Sequence, residues 1–93
     1  RSGNLSSGDV AVSEAVRKRK AFLVIVALDA SGNTKKKFRN LCSHYKVPLY
    51  FWCEKEKLGH AVGKDFRASI AVTDQGFSDA VRKQLDKESI MEV

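Results

Sequence analysis

The stretch Gly59-His60-Ala61-Val62-Gly63-Lys64-Asp65 places two glycines and a lysine in the order of a phosphate-binding loop. Its spacing does not fit that chemistry. Three residues rather than four separate the glycines, and no Ser or Thr follows Lys64 to hold magnesium. It also follows an apolar helical pattern instead of opening one. His44 and His60 stand singly, and each reads as a surface or boundary histidine rather than a base or metal ligand. Cys42 and Cys53 have neither metal nor redox spacing and lie among apolar residues, so they read as reduced core thiols rather than a disulfide. No carboxylates pair at helical spacing in an apolar setting, which leaves general acid–base catalysis without a candidate. Neither a nucleophile elbow nor a dinucleotide fingerprint is present. The expectation is a binding protein, not an enzyme, with no cofactor and no metal.

The charge says what kind of ligand to expect. Seventeen Lys and Arg oppose eleven Asp and Glu, for a net charge of +6 over 93 residues. The excess is concentrated: residues 1–67 hold 14 basic and 6 acidic side chains, residues 68–93 only 3 and 5. A basic body suits a polyanion. Phe66 lies in a predicted loop between Lys64 and Arg67, where it could stack on a base or fold back as a lid on the core. No signal peptide or membrane span is apparent, so a cytoplasmic location is the default and no membrane partner is expected.

These residues must be positioned by a fold, and the fold is organised by Ala21–Leu28. Eight apolar residues run there without interruption. A strand with one wet face would alternate, so this one is expected to be covered on both faces, by helices. Ahead of it, residues 1–8 read as a polar, turn-rich lead-in to a helix over about Asp9 to Lys18, with Val12, Ala15 and Val16 inward and Ser7 or Asp9 as its cap. The basic block Arg17-Lys18-Arg19-Lys20 suits that helix's C-terminal end. A second helix is predicted from about Thr34 to Tyr45, capped by Ser31 or Asn33, with Phe38, Leu41, Cys42 and Tyr45 as its buried stripe. Lys35, Lys36 and Lys37 in its first turn oppose the helix dipole, which mildly favours an anionic partner. A strand over Val47–Cys53, a short helix over Glu54–Val62 stopped by Gly63, and a strand over Ala68–Thr73 follow. Asp74 is expected to cap a last helix, Gln75–Leu85, with Phe77, Ala80, Val81 and Leu85 inward. Helices alternating with strands predict one layered α/β domain.

Several segments resemble the ribosomal protein L7Ae/L30e family. Lys55-Glu56-Lys57-Leu58-Gly59-His60-Ala61-Val62-Gly63-Lys64 is similar to that family's K-x-x-L-G-x-A-x-G segment. Ser6, Ser7 and Gly8 with the helix through Glu14-Ala15-Val16 look like its first RNA-contacting loop and helix. Leu23–Asp29 looks like its central strand, and Cys42, Val47-Pro48-Leu49 and Ala68–Val72 also match in order. Ala71-Val72-Thr73-Asp74-Gln75-Gly76-Phe77 looks like the bacterial YlxQ-type members. The resemblance covers nearly the whole chain. It implies a three-layer α/β/α sandwich with a small mixed sheet, forming a single RNA-binding domain over residues 1–93 that lacks most of the family's first helix. It also implies structured RNA as partner, typically a kink-turn or ribosomal RNA, with ribosomal proteins nearby. With the charge pattern, the expected RNA-binding residues are Gly8, Asp9, Arg17, Lys18, Lys55, Lys64, Phe66 and Arg67.

One segment departs from the pattern. The family's G-T-N-E-V-T-K reads here Gly8-Asp9-Val10-Ala11-Val12-Ser13-Glu14. Val10 and Ala11 cannot hydrogen-bond a base edge through their side chains, and Glu14 repels phosphate where the family has Lys. The expectation is weakened or altered kink-turn specificity. The alternative is an assembly factor that kept the fold and lost RNA reading.

Overall fold

Leu23–Val26 is the strand around which the domain is assembled, and all four of its residues are buried. In the computed structural model, which describes residues 5–52, 54–61 and 66–87, the elements run β1 (Leu5–Ser7), α1 (Asp9–Arg17), β2 (Leu23–Val26), α2 (Gly32–Tyr45), β3 (Leu49–Phe51), α3 (Lys55–Ala61), β4 (Ser69–Val72) and α4 (Gln75–Lys87). Among the described residues the four strands form one sheet in the order β1-β4-β2-β3. β2 pairs parallel to β3 and antiparallel to β4, and β4 pairs antiparallel to β1. Successive residues of a strand point to opposite faces, so complete burial of β2 and of β4 means that helices cover both faces. α1 and α2 pack side by side, and α3 and α4 contact β4. This is the expected α/β/α sandwich with a mixed sheet. No described helix is long and apolar enough to cross a membrane.

The core follows the predicted stripes on α1 and α2. Val12, Ala15, Val16, Phe38 and Cys42 are buried, with Leu41 and Tyr45 packed partly against them. Ser31 caps α2, its hydroxyl accepting from the Thr34 amide at 3.1 Å. Asp74 caps α4 in the same way through the Phe77 amide at 2.8 Å.

Five expectations need correction. Within the polar, turn-rich lead-in expected over residues 1–8, Leu5, Ser6 and Ser7 form β1 and pair with Val72, Ala71 and Ile70. Three residues carry too little periodicity to announce a strand, and the partner β4 supplies the order. The Ala21–Leu28 run is not covered throughout, since Phe22 and Leu28 at its ends are 42% and 53% exposed. α1 is capped by Gly8 with no side-chain cap bond, so neither Ser7 nor Asp9 fills that role. α2 starts at Gly32, two residues early, which moves Lys35–Lys37 beyond the first three helical positions and weakens the argument from the dipole. On α4, Phe77 and Ala80 are exposed and Val81 is half-buried. Ser78 is buried instead, and its small side chain lets the helix approach the sheet. Cys53, Val62 and Gly63 lie outside the described residues.

α1 and α2 end alike. Arg19 has φ 59° and Lys46 φ 60°. Arg19 and Lys20 donate to the carbonyls of Val16 and Ala15, and Lys46 and Val47 donate to those of Ser43 and Cys42. Both are Schellman terminations with a cation in the position that usually holds glycine. A left-handed non-glycine residue costs roughly 1–2 kcal/mol.

Burial pushes the Cys42 thiol from 9.0 up to about 11. Between those values the unfolded chain sheds a proton that the native chain retains. The contribution to stability is therefore whole below about pH 9 and declines as pH rises toward 11. The neutral, buried thiol is also a poor nucleophile. We expect iodoacetamide at pH 8 to modify Cys42 only in denaturant, as read by peptide mapping; equal labelling rates in native and unfolded protein would contradict this burial.

Candidate nucleic-acid interface

Strand register brings the chemistry-bearing loops to one end of the sheet. Val26 stands opposite Phe51 and Ser69, and Ser7 stands opposite Ile70. The residues just beyond them, Gly8–Asp9, Ala27–Asp29, Trp52 with Glu54–Lys55, and Phe66–Ala68, must therefore converge.

Hydrogen bonds then tie these loops together. The Gly8 amide donates to the Ser69 carbonyl at 3.1 Å. The Ser69 hydroxyl donates to Asp9 Oδ1 at 3.1 Å. The Lys55 amide donates to Asp29 Oδ1 at 2.8 Å, and the Arg67 amide donates to the Lys55 carbonyl at 3.1 Å. Arg67 Nε reaches Ser7 Oγ at 3.3 Å, and Nη1 donates to the Phe66 carbonyl at 2.6 Å. Because the backbones of Lys55 and Arg67 are joined, their cationic side chains start from one place.

Of the acids of this edge, Asp9 accepts from Ser69 and Asp29 from the Lys55 amide, while Glu54 is exposed beside Lys55. Among the described residues neither Lys55 nor Arg67 forms an ion pair. Both cations are partly exposed at this edge. Gly8 adopts φ 91°, which L side chains rarely reach; a Cβ there would meet nothing within 4 Å, so the backbone conformation and not space calls for glycine.

The same edge carries exposed apolar side chains. Phe66 is 60% exposed, so it stands out from the core instead of closing over it. Val10 is 79% and Leu28 53% exposed. Leu28 escaped sequence reasoning because it ends an unbroken apolar run; the turn residues that follow, Asp29-Ala30-Ser31-Gly32, were the available signal.

Of the expected site residues, Gly8, Asp9, Lys55, Phe66 and Arg67 share this edge. Arg17 and Lys18 do not. They lie exposed at the other end of α1, about 13 Å along a nine-residue helix from Gly8. Lys18 pairs loosely with Glu14 at 3.9 Å. Lys64 lies outside the described residues. The glycine motif has no loop geometry in its first half, since Gly59 is a buried residue inside α3.

Comparison with known proteins agrees with this architecture. A solved structure of a protein of unknown function from Bacillus halodurans superposes with a TM-score of 0.87 at 36% identity, covering 92% of this chain and 87% of that one. The chain is 40% identical over 86 residues to RNA-binding protein YlxQ of Bacillus subtilis (strain 168), covering 92% of this chain and 86% of the relative. It is 33% identical to RNA-binding protein YlxQ of Enterococcus faecium, covering 92% and 82%. Residues 1–82 match the model of the ribosomal protein L7Ae/L30e/S12e/Gadd45 family. By that match and these identities, the chain belongs to the ribosomal protein L7Ae/L30e/S12e/Gadd45 family.

Proposed function

We propose that this protein is a non-catalytic, cytoplasmic RNA-binding protein that docks on structured ribosomal RNA through the edge formed by Gly8, Lys55, Phe66 and Arg67. The observation carrying this reading is their convergence: a glycine backbone that no side chain shields, two cations with no carboxylate partner among the described residues, and an exposed aromatic ring. Support also comes from the two relatives, both named RNA-binding proteins. Cations and backbone amides hold phosphates, and Phe66 offers a face to an unstacked base. At the start of α1, Val10 and Ala11 are exposed and carry no group able to read a base edge. We therefore assign this edge to shape and phosphate recognition, with kink-turns bound more weakly than by members that keep Asn, Glu and Lys there.

Each phosphate contact releases counterions, so affinity must fall with salt, with a logarithmic slope of about −0.7 per contact on single strands and −0.9 on duplex. With about four contacts, raising salt from 50 to 200 mM should weaken binding roughly a hundredfold. Titrating the protein against a ribosomal RNA fragment at several salt concentrations measures the slope; salt-insensitive binding overturns the reading. The exposed Val10 and Leu28 favour a second reading, a protein partner on this edge. Absence of any RNA binding at 50 mM salt would select it.

A further inference from the structure

We infer that the opposite pole of the domain is a second nucleic-acid contact, a stacking platform for single-stranded RNA built from Phe22, Tyr45, Arg19 and Lys46. The inference rests on the RNA-binding reading but concerns residues that the first edge does not use.

Topology assembles this pole as it does the other. Leu23 stands opposite Val72 and Val24 opposite Leu49, so the residues before β2 and β3 meet where α1 and α2 end. The Phe22 amide donates to the Val72 carbonyl at 2.8 Å, and the Val24 amide to the Pro48 carbonyl at 3.0 Å. Between them is a shallow depression of about 290 Å³, bounded by Phe22, Tyr45 and Pro48 with Arg19 and Lys46 at its rim.

Three observations point to a ligand there. First, among the described residues the two that take the left-handed backbone without being glycine, Arg19 and Lys46, both line this depression. Each helix end would be easier to form with glycine. A Schellman turn explains the backbone, but not why a cation occupies the strained place twice at one pocket. Second, flat groups are presented outward. Phe22 is 42% exposed. The Arg19 guanidinium lies 5.4 Å from the Tyr45 ring centroid, and Arg19 itself is exposed, so a guanidinium backed by an aromatic ring faces solvent. Guanidinium planes and aromatic rings are what unstacked bases stack on. Third, the surroundings are cationic. Lys18 and Lys20 flank Arg19, and Tyr45 also lines the adjoining α1–α2 groove, which holds Arg17 and Lys37. Of the carboxylates toward this pole, Glu14 lies 3.9 Å from Lys18 and Asp74 accepts from the Phe77 amide.

Cations alone would fit any polyanion, including an acidic peptide. The flat groups are the reason to choose RNA, since backbone neutralisation combined with base stacking is how single strands are held without sequence reading. The domain measures 29 × 27 × 26 Å. A structured RNA on the first edge could send an unpaired flank along the α1–α2 groove to this pole, which gives Arg17 and Lys18 a role that their distance from Gly8 denies them at the first site.

The test uses the full chain and a fluorescein-labelled decamer of uridine at low salt, read by anisotropy, beside a blunt-ended structured ribosomal RNA fragment. Trp52 is the sole tryptophan of the sequence and sits at the first edge just after β3, so its fluorescence reports that edge and not the pole. The decamer should bind without changing Trp52 emission. Phe22→Ala, and separately the double change Arg19→Gly with Lys46→Gly, should each weaken the decamer about tenfold while the structured RNA changes less than twofold. The glycine double variant should melt no lower than the parent, because glycine accepts the left-handed backbone. Decamer binding that is insensitive to Phe22→Ala, that is lost on Arg67→Glu with a Trp52 response, or that poly-glutamate displaces equally from parent and Phe22→Ala would overturn the platform. Structured RNA failing to bind while the decamer binds would sink the first edge and leave this inference standing; the reverse result would sink this inference alone.

Discussion

Replacing both Lys55 and Arg67 with glutamate is expected to lower affinity for a blunt-ended structured RNA by at least about a hundredfold, with the far-ultraviolet circular dichroism unchanged. Each cation that meets a phosphate makes a charge-assisted hydrogen bond worth about 1.5–3 kcal/mol, and a reversed charge adds repulsion. Two such losses comfortably exceed the roughly 2.7 kcal/mol that a hundredfold represents. The fold should tolerate the change because the bonds that tie Lys55 and Arg67 to each other and to Asp29 are made by backbone. The Lys55 amide reaches Asp29 and its carbonyl receives the Arg67 amide, and both survive any side chain. Glutamate at Lys55 begins α3 with an acid, which the helix dipole favours. Arg67 gives up a long 3.3 Å contact to Ser7 and a 2.6 Å bond to the exposed carbonyl of its own neighbour Phe66, neither of which holds two elements of the core together. A charge-matched control, Lys20→Glu with Lys83→Glu, removes two exposed cations far from this edge and should cost little on an RNA with no single-stranded flank. Equal losses in the two double variants would show diffuse charge attraction and remove the assignment of the edge.

The juxtaposition of Lys55 and Arg67 was legible only through the family resemblance, since twelve positions and a helix separate them in sequence. The helical stripes were legible from spacing alone: Val12, Ala15 and Val16, and Phe38 and Cys42, recur at the helical period and are buried. Ser31 and Asp74 were legible because a short polar side chain before an apolar period has few other uses. What spacing could not give was the extent of burial at element ends. Phe22 and Leu28 belong to the same apolar run as Ile25, yet strand pairing stops at Leu23 and Val26 and the ends protrude beyond it. Those protruding ends belong to the two poles proposed as binding surfaces. The strand β1 and the rotation of α4 were illegible for a related reason: each is fixed by contact with β4, and its own sequence is nearly silent on the matter. Nor could the charge pattern divide the cations between poles, because Arg17 and Gly8 are close in sequence and a helix length apart in space.

The triple change Val10→Asn, Ala11→Glu, Glu14→Lys is expected to raise affinity for a kink-turn RNA at least about tenfold while leaving affinity for a straight duplex of equal length nearly constant. The three positions fit one ligand. Val10 and Glu14 are four residues apart on α1 and Ala11 and Glu14 are three apart, so they share a face at the helix start beside Gly8. All three are exposed, Val10 at 79%, so the substitutions meet no packed core. The local cost is small. Glu14→Lys breaks a 3.9 Å surface pair with Lys18 and sets two lysines four residues apart, a change worth only some tenths of a kcal/mol. Against it stands the gain of an amide and a carboxylate able to pair with base edges, where a good bidentate contact contributes about 1–3 kcal/mol in the better-measured DNA case. Exchanging Glu14 for lysine also replaces repulsion of phosphate by attraction. A net of about 1.4 kcal/mol is already tenfold. The effect should be confined to the kink-turn because a straight duplex presents no splayed bases for the new side chains to read, and the added cation alone raises both affinities together. Titrating parent and triple variant against both RNAs separates these terms. If the parent already binds the kink-turn at nanomolar affinity and the variant gains nothing, then the backbone at Gly8 and the contacts of Lys55, Phe66 and Arg67 suffice, and the missing Asn, Glu and Lys do not set the specificity of this edge.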